Sequence, residues 1–521
     1  MTPVVETTPD PAAFAALARR FASVPVTRRL ALGALNPAEI YLAVAGDRPD
    51  TFLLETAESW SGSGRWSFVG ASCSTAVMER EARPGSADGA AHDLVDDARN
   101  TLLRLRAPEL PGLPPFAGGF AGYLGYDTAV RRFGVVPGNR DELGVPDSLL
   151  LWTTDLAAVD HGAGEIVLIA NASIDGGIAR ASTQAGADLD AEIEASYRGA
   201  VARLDAMQRG LAHAAPNAAV GSALIHPPTH PPTHPAAPAP VSPADDGRFE
   251  ARVGEALERI RAGEADQIVL SRRFSEPTEA TPWECYAAIR ELVPSAYMYR
   301  FRFSAQSAGG EPFDLIGCGP EPVATVREGT VRVSPIAGSR PRGATPEADL
   351  RAERELAADP KERAEHLMLV ALAREDLAAV CEPGSVRDEA LLDVVRYSTL
   401  MHLRSTVAGE LAADRCALDA ILACTPAGTV CGTPRASAAK AIEELEDTRR
   451  GVYGGAVGYL GHTGDAQAAI AIRAALVVGG TAHVQAGAGI VASSEPAREA
   501  AESRQKAGGV LSALRAAVSS R

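Results

Sequence analysis

Near residues 208–247 the chain reads RGLAHAAPNAAVGSALIHPPTHPPTHPAAPAPVSPADDG, rich in Ala, Pro and His and poor in large apolar residues. Each proline fixes φ and removes a backbone donor, so a stretch this dense joins neither a helix nor a central strand. It predicts an extended linker or surface loop over 208–247, between an N-terminal lobe at 1–207 and a second domain at 248–521. A chain of 521 residues is also too long for one simple core. The tract holds an H-P-P-T repeat with His226, His230 and His234. Imidazoles bind metals, but a proline tract fixes no geometry and shows no group to orient the rings, so the linker reading is preferred.

Either side of this break the pattern is mixed. PDPAAFAALARRFASV predicts an opening helix, TFLLETAES and RWSFVGAS predict strand and loop, and SLLLWTTDLAAVDHGAGEIVLIANAS predicts a strand pair about a glycine turn. After the linker, Val253, Leu257 and Ile260 recur at helical spacing. QIVLSRRF, AYMYRFRF and DLIGCGPEPVATVREGTVRVSPI predict strands, with a turn at Glu328-Gly329. DPKERAEHLMLVALAREDLAAVC predicts a long amphipathic helix. GGAVGYLGH, AQAAIAIRAALVVGG and AHVQAGAGIV predict glycine-bounded strands, and a last helix covers about 496–518. The expected class is α+β: large antiparallel sheets forming a two-lobed sandwich core, with helices outside.

A net charge of −16 argues against a nucleic-acid surface and against anionic membrane. It permits a small anionic substrate, because Arg and Lys can gather locally. No apolar run approaches the roughly 18 residues of a membrane span. The start, MTPVVETTPDPAAF, lacks the basic-then-apolar pattern of a secretory leader. The seven cysteines are scattered with no C-x-x-C pair, which predicts reduced thiols and a cytoplasmic location.

Two acidic pairs share one spacing: Glu362 with Glu365, and Glu499 with Glu502. A spacing of three puts both members on one helix face. With Lys506 one turn past Glu502, four convergent carboxylates would cradle a hard cation. Mg²⁺ is commonly held by one or two carboxylates plus an anionic substrate. Such pairs are common on solvated helix faces, and taken alone they read as that.

The surrounding motifs shift that reading. PIAGSRPRG, DPKERAEHLMLVALARED, PAGTVCGTPRASAAKAIEELE, RRGVYGGAVGY, AIR, QAGAGIVASSEP and EAAESRQKA follow in order from 335 to 507. Together they resemble the chorismate-binding enzymes, and most closely anthranilate synthase component I. The resemblance implies that Mg²⁺ bridges Glu362, Glu365, Glu499 and Glu502 to the ring carboxylate of chorismate. It places Arg473 and Tyr453 on the enolpyruvyl carboxylate, Gly487, Ala488 and Gly489 against the substrate, and Lys506 at the ring-carboxylate end. Thr429 offers a hydroxyl near the ring, Glu321 in GCGPE matches the general acid, and His402 in RYSTLMHLRS matches the histidine of the second step.

Within the family, Gln267 stands where water-using relatives carry a lysine base, and Ala337 where aminodeoxychorismate synthases carry a lysine nucleophile. Ammonia remains as nucleophile. No glutaminase segment is evident, so a separate glutamine amidotransferase subunit and a hetero-oligomer are implied. LLETAES keeps a hydroxyl at Thr56, and VPSAYMYR keeps Pro294, Tyr297 and Met298, which implies tryptophan as an effector; Val293 and Ala296 depart from the usual pattern. Thr399, Glu375, Cys431, Thr433 and Arg435 depart as well. Two other readings stay open: an aminodeoxyisochorismate synthase that stops before pyruvate loss, and a silent regulatory homologue.

Overall fold

The computed structural model describes residues 6–56, 65–79, 94–174, 186–214, 243–396 and 400–519. Every strand pairing within them is antiparallel apart from one isolated parallel bridge, Arg140 to Thr448. The Ser148–Asp160 strand is the hub. Along one edge it pairs with Trp66–Glu79; along the other it pairs first with Gly119–Leu124 and then with Glu165–Ser173. From it the ladder runs in two directions. One arm continues through Gly119–Leu124, Ala456–Gly461, Ala466–Ile470, Pro322–Arg327 and Thr330–Val333 to Leu400–Glu410. The other passes through Thr51–Thr56, Tyr297–Phe303, Phe313–Gly319, Ala474–Val478 and Thr481–Ile490 to Gln267–Pro277.

These arms are two layers packed face to face, and side-chain alternation shows it. Phe52, Leu54, Tyr297, Tyr299 and Phe301 point into one core together with Tyr123, Val457 and Tyr459 from the other arm. Leu53 and Met298, one residue out of phase, pack beneath the helices Pro11–Ala18, Pro37–Val44, Pro282–Leu292 and Pro496–Ser519. Phe120, Leu124, Ala456 and Leu460 face Leu94–Arg104, Pro360–Ala378 and Ala417–Ala423. A strand covered on both faces reads as a continuous apolar run, which is why SLLLWTTDLAAVD is almost wholly buried. The expected α+β sandwich with outer helices is present.

The predicted elements fall close to the observed ones, with informative differences. The opening helix stops at Ala18, and Ser23–Ala31 is a strand. Glu328 and Gly329 form the expected turn, both left-handed at φ 48 and φ 77. Residues 208–212, assigned to the linker, finish the Gly186–Ala212 helix, because Leu204, Met207 and Leu211 continue a buried face at helical spacing. At the other end 243–247 open the Pro243–Arg261 helix, which accepts Pro243 in its first turn. His226, His230 and His234 lie outside the described residues. The halves on either side of the tract share their sheets: Thr51–Thr56 pairs with Tyr297–Phe303, and Gly119–Leu124 with Ala456–Gly461. Among the described residues no helix is long and apolar enough to cross a membrane, and all seven cysteines are unpaired.

Candidate active site at the seam of the two sheets

The chain passes from one layer to the other at two neighbouring places. After Phe313–Gly319 it crosses at Pro320-Glu321 into Pro322–Arg327; after Ala466–Ile470 it crosses back through Ala471-Ile472-Arg473 into Ala474–Val478. The crossovers run side by side, with Ile470 N donating to Glu321 O (2.9 Å) and Cys318 N to Arg473 O (3.1 Å). Arg473 holds φ +50, a left-handed conformation that costs a non-glycine residue. AQAAIAIRAALVV therefore reads as one strand in sequence but folds as two.

Around this seam the sequence-predicted residues gather. Thr429, in the single turn Gly428–Cys431, donates its hydroxyl to Glu321 Oε2 at 3.2 Å. Burial pushes the Glu321 carboxyl up, while the Arg473 charge, the Thr429 bond and Lys506 pull against it. His402 lies on the Leu400–Glu410 strand with Nδ1 3.0 Å from Gly338 O. Burial lowers its pKa and the Arg473 charge lowers it further, against the Gly338 contact, which favours a neutral imidazole. Tyr453 sits in the turn before Ala456–Gly461, and burial pushes its phenol up to about 12. Lys506 Nζ donates to Gly487 O (3.2 Å) and pairs with Glu502 Oε1 (2.7 Å).

Gly487, Ala488 and Gly489 pair with Ser271, Leu270 and Val269. A Cβ on Gly487 would lie 2.2 Å from Leu270 O, and one on Gly489 would lie 2.7 Å from Gln267 Nε2. The backbone of the neighbouring strand thus already demands glycine at 487, whereas at 489 the contact is with the end of a flexible side chain.

The two acidic pairs open two separate helices. Glu362 and Glu365 start the Pro360–Ala378 helix, where Asp359 caps the N-terminus by accepting from the Lys361 and Glu362 amides (2.9 and 3.2 Å). Glu362 Oε2 lies 3.0 Å from where a Cβ on Gly338 would be, which places it beside the His402 contact. Glu499 and Glu502 lie early in Pro496–Ser519, and burial and then the Glu502 charge raise the Glu499 carboxyl against a Ser494 hydrogen bond. Among the described residues, however, no three His, Cys, Asp or Glu side chains are grouped to hold a metal ion. Glu362 and Glu365 stand on one of these helices and Glu499 and Glu502 on the other. Each pair has a cation beside it: Arg340 lies 3.7 Å from Glu362, and Lys506 pairs with Glu502.

Thr56 and Tyr297 face each other across a strand pair, and Glu55 faces Met298. Thr56, Tyr297 and Met298 are buried and Pro294 is half-buried at the strand entrance. Ala57, Glu58 and Ser59 of LLETAES lie outside the described residues, as does Thr399. Arg435 is explained by Asp376, which it pairs with on the acidic helix.

Sequence reasoning missed three features. Arg340 sits beside Glu362. The buried pair Glu446–Arg450 lies beneath the cleft, and its spacing of four reads in sequence as a solvated helix pair. Asp127, from the N-terminal half, accepts from Gly451 N (2.7 Å) in the Tyr453 turn. No local pattern announces it.

A two-layer antiparallel sandwich whose seam presents an acid, a histidine, an arginine and two acidic helix starts is suited to a small anionic substrate. The family model for chorismate binding enzymes matches residues 50–512, and the chain belongs to that family. It is 43% identical over 520 residues to anthranilate synthase component 1 of Mycolicibacterium smegmatis, covering 97% of this chain and 93% of that protein. Anthranilate synthase component 1 of Streptomyces coelicolor is 41% identical over 524 residues, covering 98% and 93%. Among solved structures, anthranilate synthase component I from Streptococcus pneumoniae superposes with a TM-score of 0.65 at 29% identity, covering 92% of this chain and 98% of that one. The menaquinone-specific isochorismate synthase of Escherichia coli shares the fold, with a TM-score of 0.63, 19% identity and coverage of 96% and 98%.

Proposed function

We infer that this chain is the chorismate-acting large subunit of an anthranilate synthase, converting chorismate and ammonia to anthranilate and pyruvate. The observation that carries this is the meeting of Glu321, Thr429, Arg473 and His402 at the seam, in a chain similar along nearly its whole length to anthranilate synthase components.

Arg473 and Tyr453 bind the enolpyruvyl carboxylate, the arginine through its planar fork. Ammonia attacks the ring carbon beside the ring carboxylate and the ring hydroxyl leaves. Glu321 donates the proton that makes this leaving group water; burial favours its protonated form and Thr429 orients it. His402, neutral and held by Gly338 O, then takes the ring proton as pyruvate departs and the ring becomes aromatic. Four carboxylates in two pairs are hard oxygen donors that suit Mg²⁺ when the substrate completes the shell. Glu362, Glu365, Glu499 and Glu502 would hold it, and when bound it supplies Lewis-acid polarisation of the ring carboxylate. Lys506 adds positive charge at the same end.

Ammonia comes from a separate glutamine amidotransferase subunit in a cytoplasmic hetero-oligomer. Tryptophan binds near Thr56, Pro294, Tyr297 and Met298, an effector site built from both halves of the chain. Isothermal titration should show heat with tryptophan, and a flat trace would remove that site.

The central test uses purified chain with chorismate, Mg²⁺ and ammonium at high pH. Anthranilate fluorescence with pyruvate release is expected. A non-aromatic amino product would show that the second step is lost, and unchanged chorismate would refute the reading.

A further inference from the structure

The geometry points to the buried Glu446–Arg450 pair as the positioning element that sets Thr429, Tyr453 and the Gly487–Gly489 strand relative to one another. The inference rests on the site reading above. Both are buried: their side chains are 5% and 2% exposed.

Arg450 makes four hydrogen bonds, two to Glu446 and one to each of two backbone carbonyls of the site's frame. Its Nε and Nη2 donate to the two Glu446 oxygens (2.9 and 2.6 Å). Nη1 donates to Val430 O (2.7 Å), the residue after Thr429, and Nη2 to Val269 O (2.6 Å), opposite Gly489. The same guanidinium stands 5.6 Å from the Tyr453 ring centroid and 4.5 Å from that of Tyr126. Glu446 Oε1 also accepts from Ser271 N (2.7 Å) and Ser271 Oγ (3.0 Å), opposite Gly487. One buried ion pair therefore ties the Thr429 turn, the Tyr453 turn and both ends of the strand segment facing the glycines.

The fork explains why arginine stands here. A planar guanidinium can grip a carboxylate on one side and two carbonyls on the other, which a lysine ammonium on a flexible stem cannot do in the same fixed geometry. Arg450→Lys keeps the charge beside Glu446 but gives up at least one carbonyl, so the Thr429 turn is freed to shift against the glycine strand. A displacement of about 1 Å in a reacting frame costs about 100-fold in rate.

The test is a double-mutant cycle on ammonia-dependent anthranilate formation with the full chain. Arg450→Lys should lower kcat by an amount approaching that figure. Thr429→Ala combined with Arg450→Lys should lose no more than the worse single variant, since both damage the same alignment. Leu168→Ala, a core truncation in the Glu165–Ser173 strand, serves as a stability control and should keep wild-type kcat per folded molecule. Should Arg450→Lys not fold, Glu446→Gln carries the same cycle; failure of both to fold counts against the proposal by making the pair a folding element. Multiplicative losses overturn this proposal alone. Wild-type activity in Thr429→Ala and Tyr453→Phe overturns the site reading, and this proposal with it.

Discussion

Beneath the cleft, Glu446 and Arg450 have almost no exposure, and both carboxylate oxygens and four guanidinium bonds are engaged. At the rim, Glu502 and Lys506 are 46% and 50% exposed and hold each other and one carbonyl. The floor is fixed in advance, since a buried charge that loses its partner is costly. The rim is left solvated, where an ion pair contributes little and a charge can exchange one partner for another. The contrast would suit the proposed mechanism, in which the cleft grips an anion and admits a cation.

The largest expected effect falls between the two regions. Glu321→Gln removes the acid while keeping its shape, and should lower kcat by about 10²–10⁴-fold, the worth of a positioned proton donor. Steady-state fluorescence kinetics with unchanged melting will check it; near-full activity would take Glu321 out of the proton path. At the rim, Glu365→Gln and Glu502→Gln should each lose at least the roughly 10–100-fold seen even for groups behind a metal's ligands. Raised Mg²⁺ should restore part of the loss, and folding should stay intact because both side chains are exposed. Insensitivity to Mg²⁺ would place these carboxylates outside the metal shell.

At the floor the signature is stability. Arg450→Met strands Glu446 in the interior and should cost about 3–5 kcal/mol, measured by denaturant unfolding. A loss as small as a surface pair's would erase the contrast. Asp127 gives a pH test. Burial and the Asp147 charge push its carboxyl up to about 8, from an ordinary 3.8. The unfolded chain gives up this proton first, so stability falls as pH rises from about 4 to about 8. Asp127→Asn should flatten that part of the melting-temperature profile while keeping an acceptor for Gly451 N. An unchanged slope would assign the titration elsewhere. The smallest effect concerns the effector: Thr56→Val should weaken tryptophan inhibition and leave uninhibited kcat unchanged.

Much of this was legible in the sequence because it is local. Asp359 before Pro360 marks the acidic helix, and the Glu-Gly pair at 328–329 marks a turn; both depend on neighbours in the chain. The ordered motifs placed Glu321, His402, Thr429 and Arg473 in one site, and the seam brings them together. The linker was overextended because proline and alanine content was weighed over the buried helical face ending at Leu211. A spacing of three fixes a helix face but says nothing about where the other helix stands. Arg450 was passed over because a spacing of four looks the same on a wet helix as in a dry core.

The residues alone determined the family motifs, the chemistry of the donor groups and the layered α+β class, since these follow from side-chain type and short-range periodicity. Only the tertiary structure decided that Arg473 turns left-handed at a crossover and that Asp127, from the N-terminal half, braces the Tyr453 turn. Those outcomes depend on which distant strands and helices share a desolvated space, and burial there sets the energy of every charge.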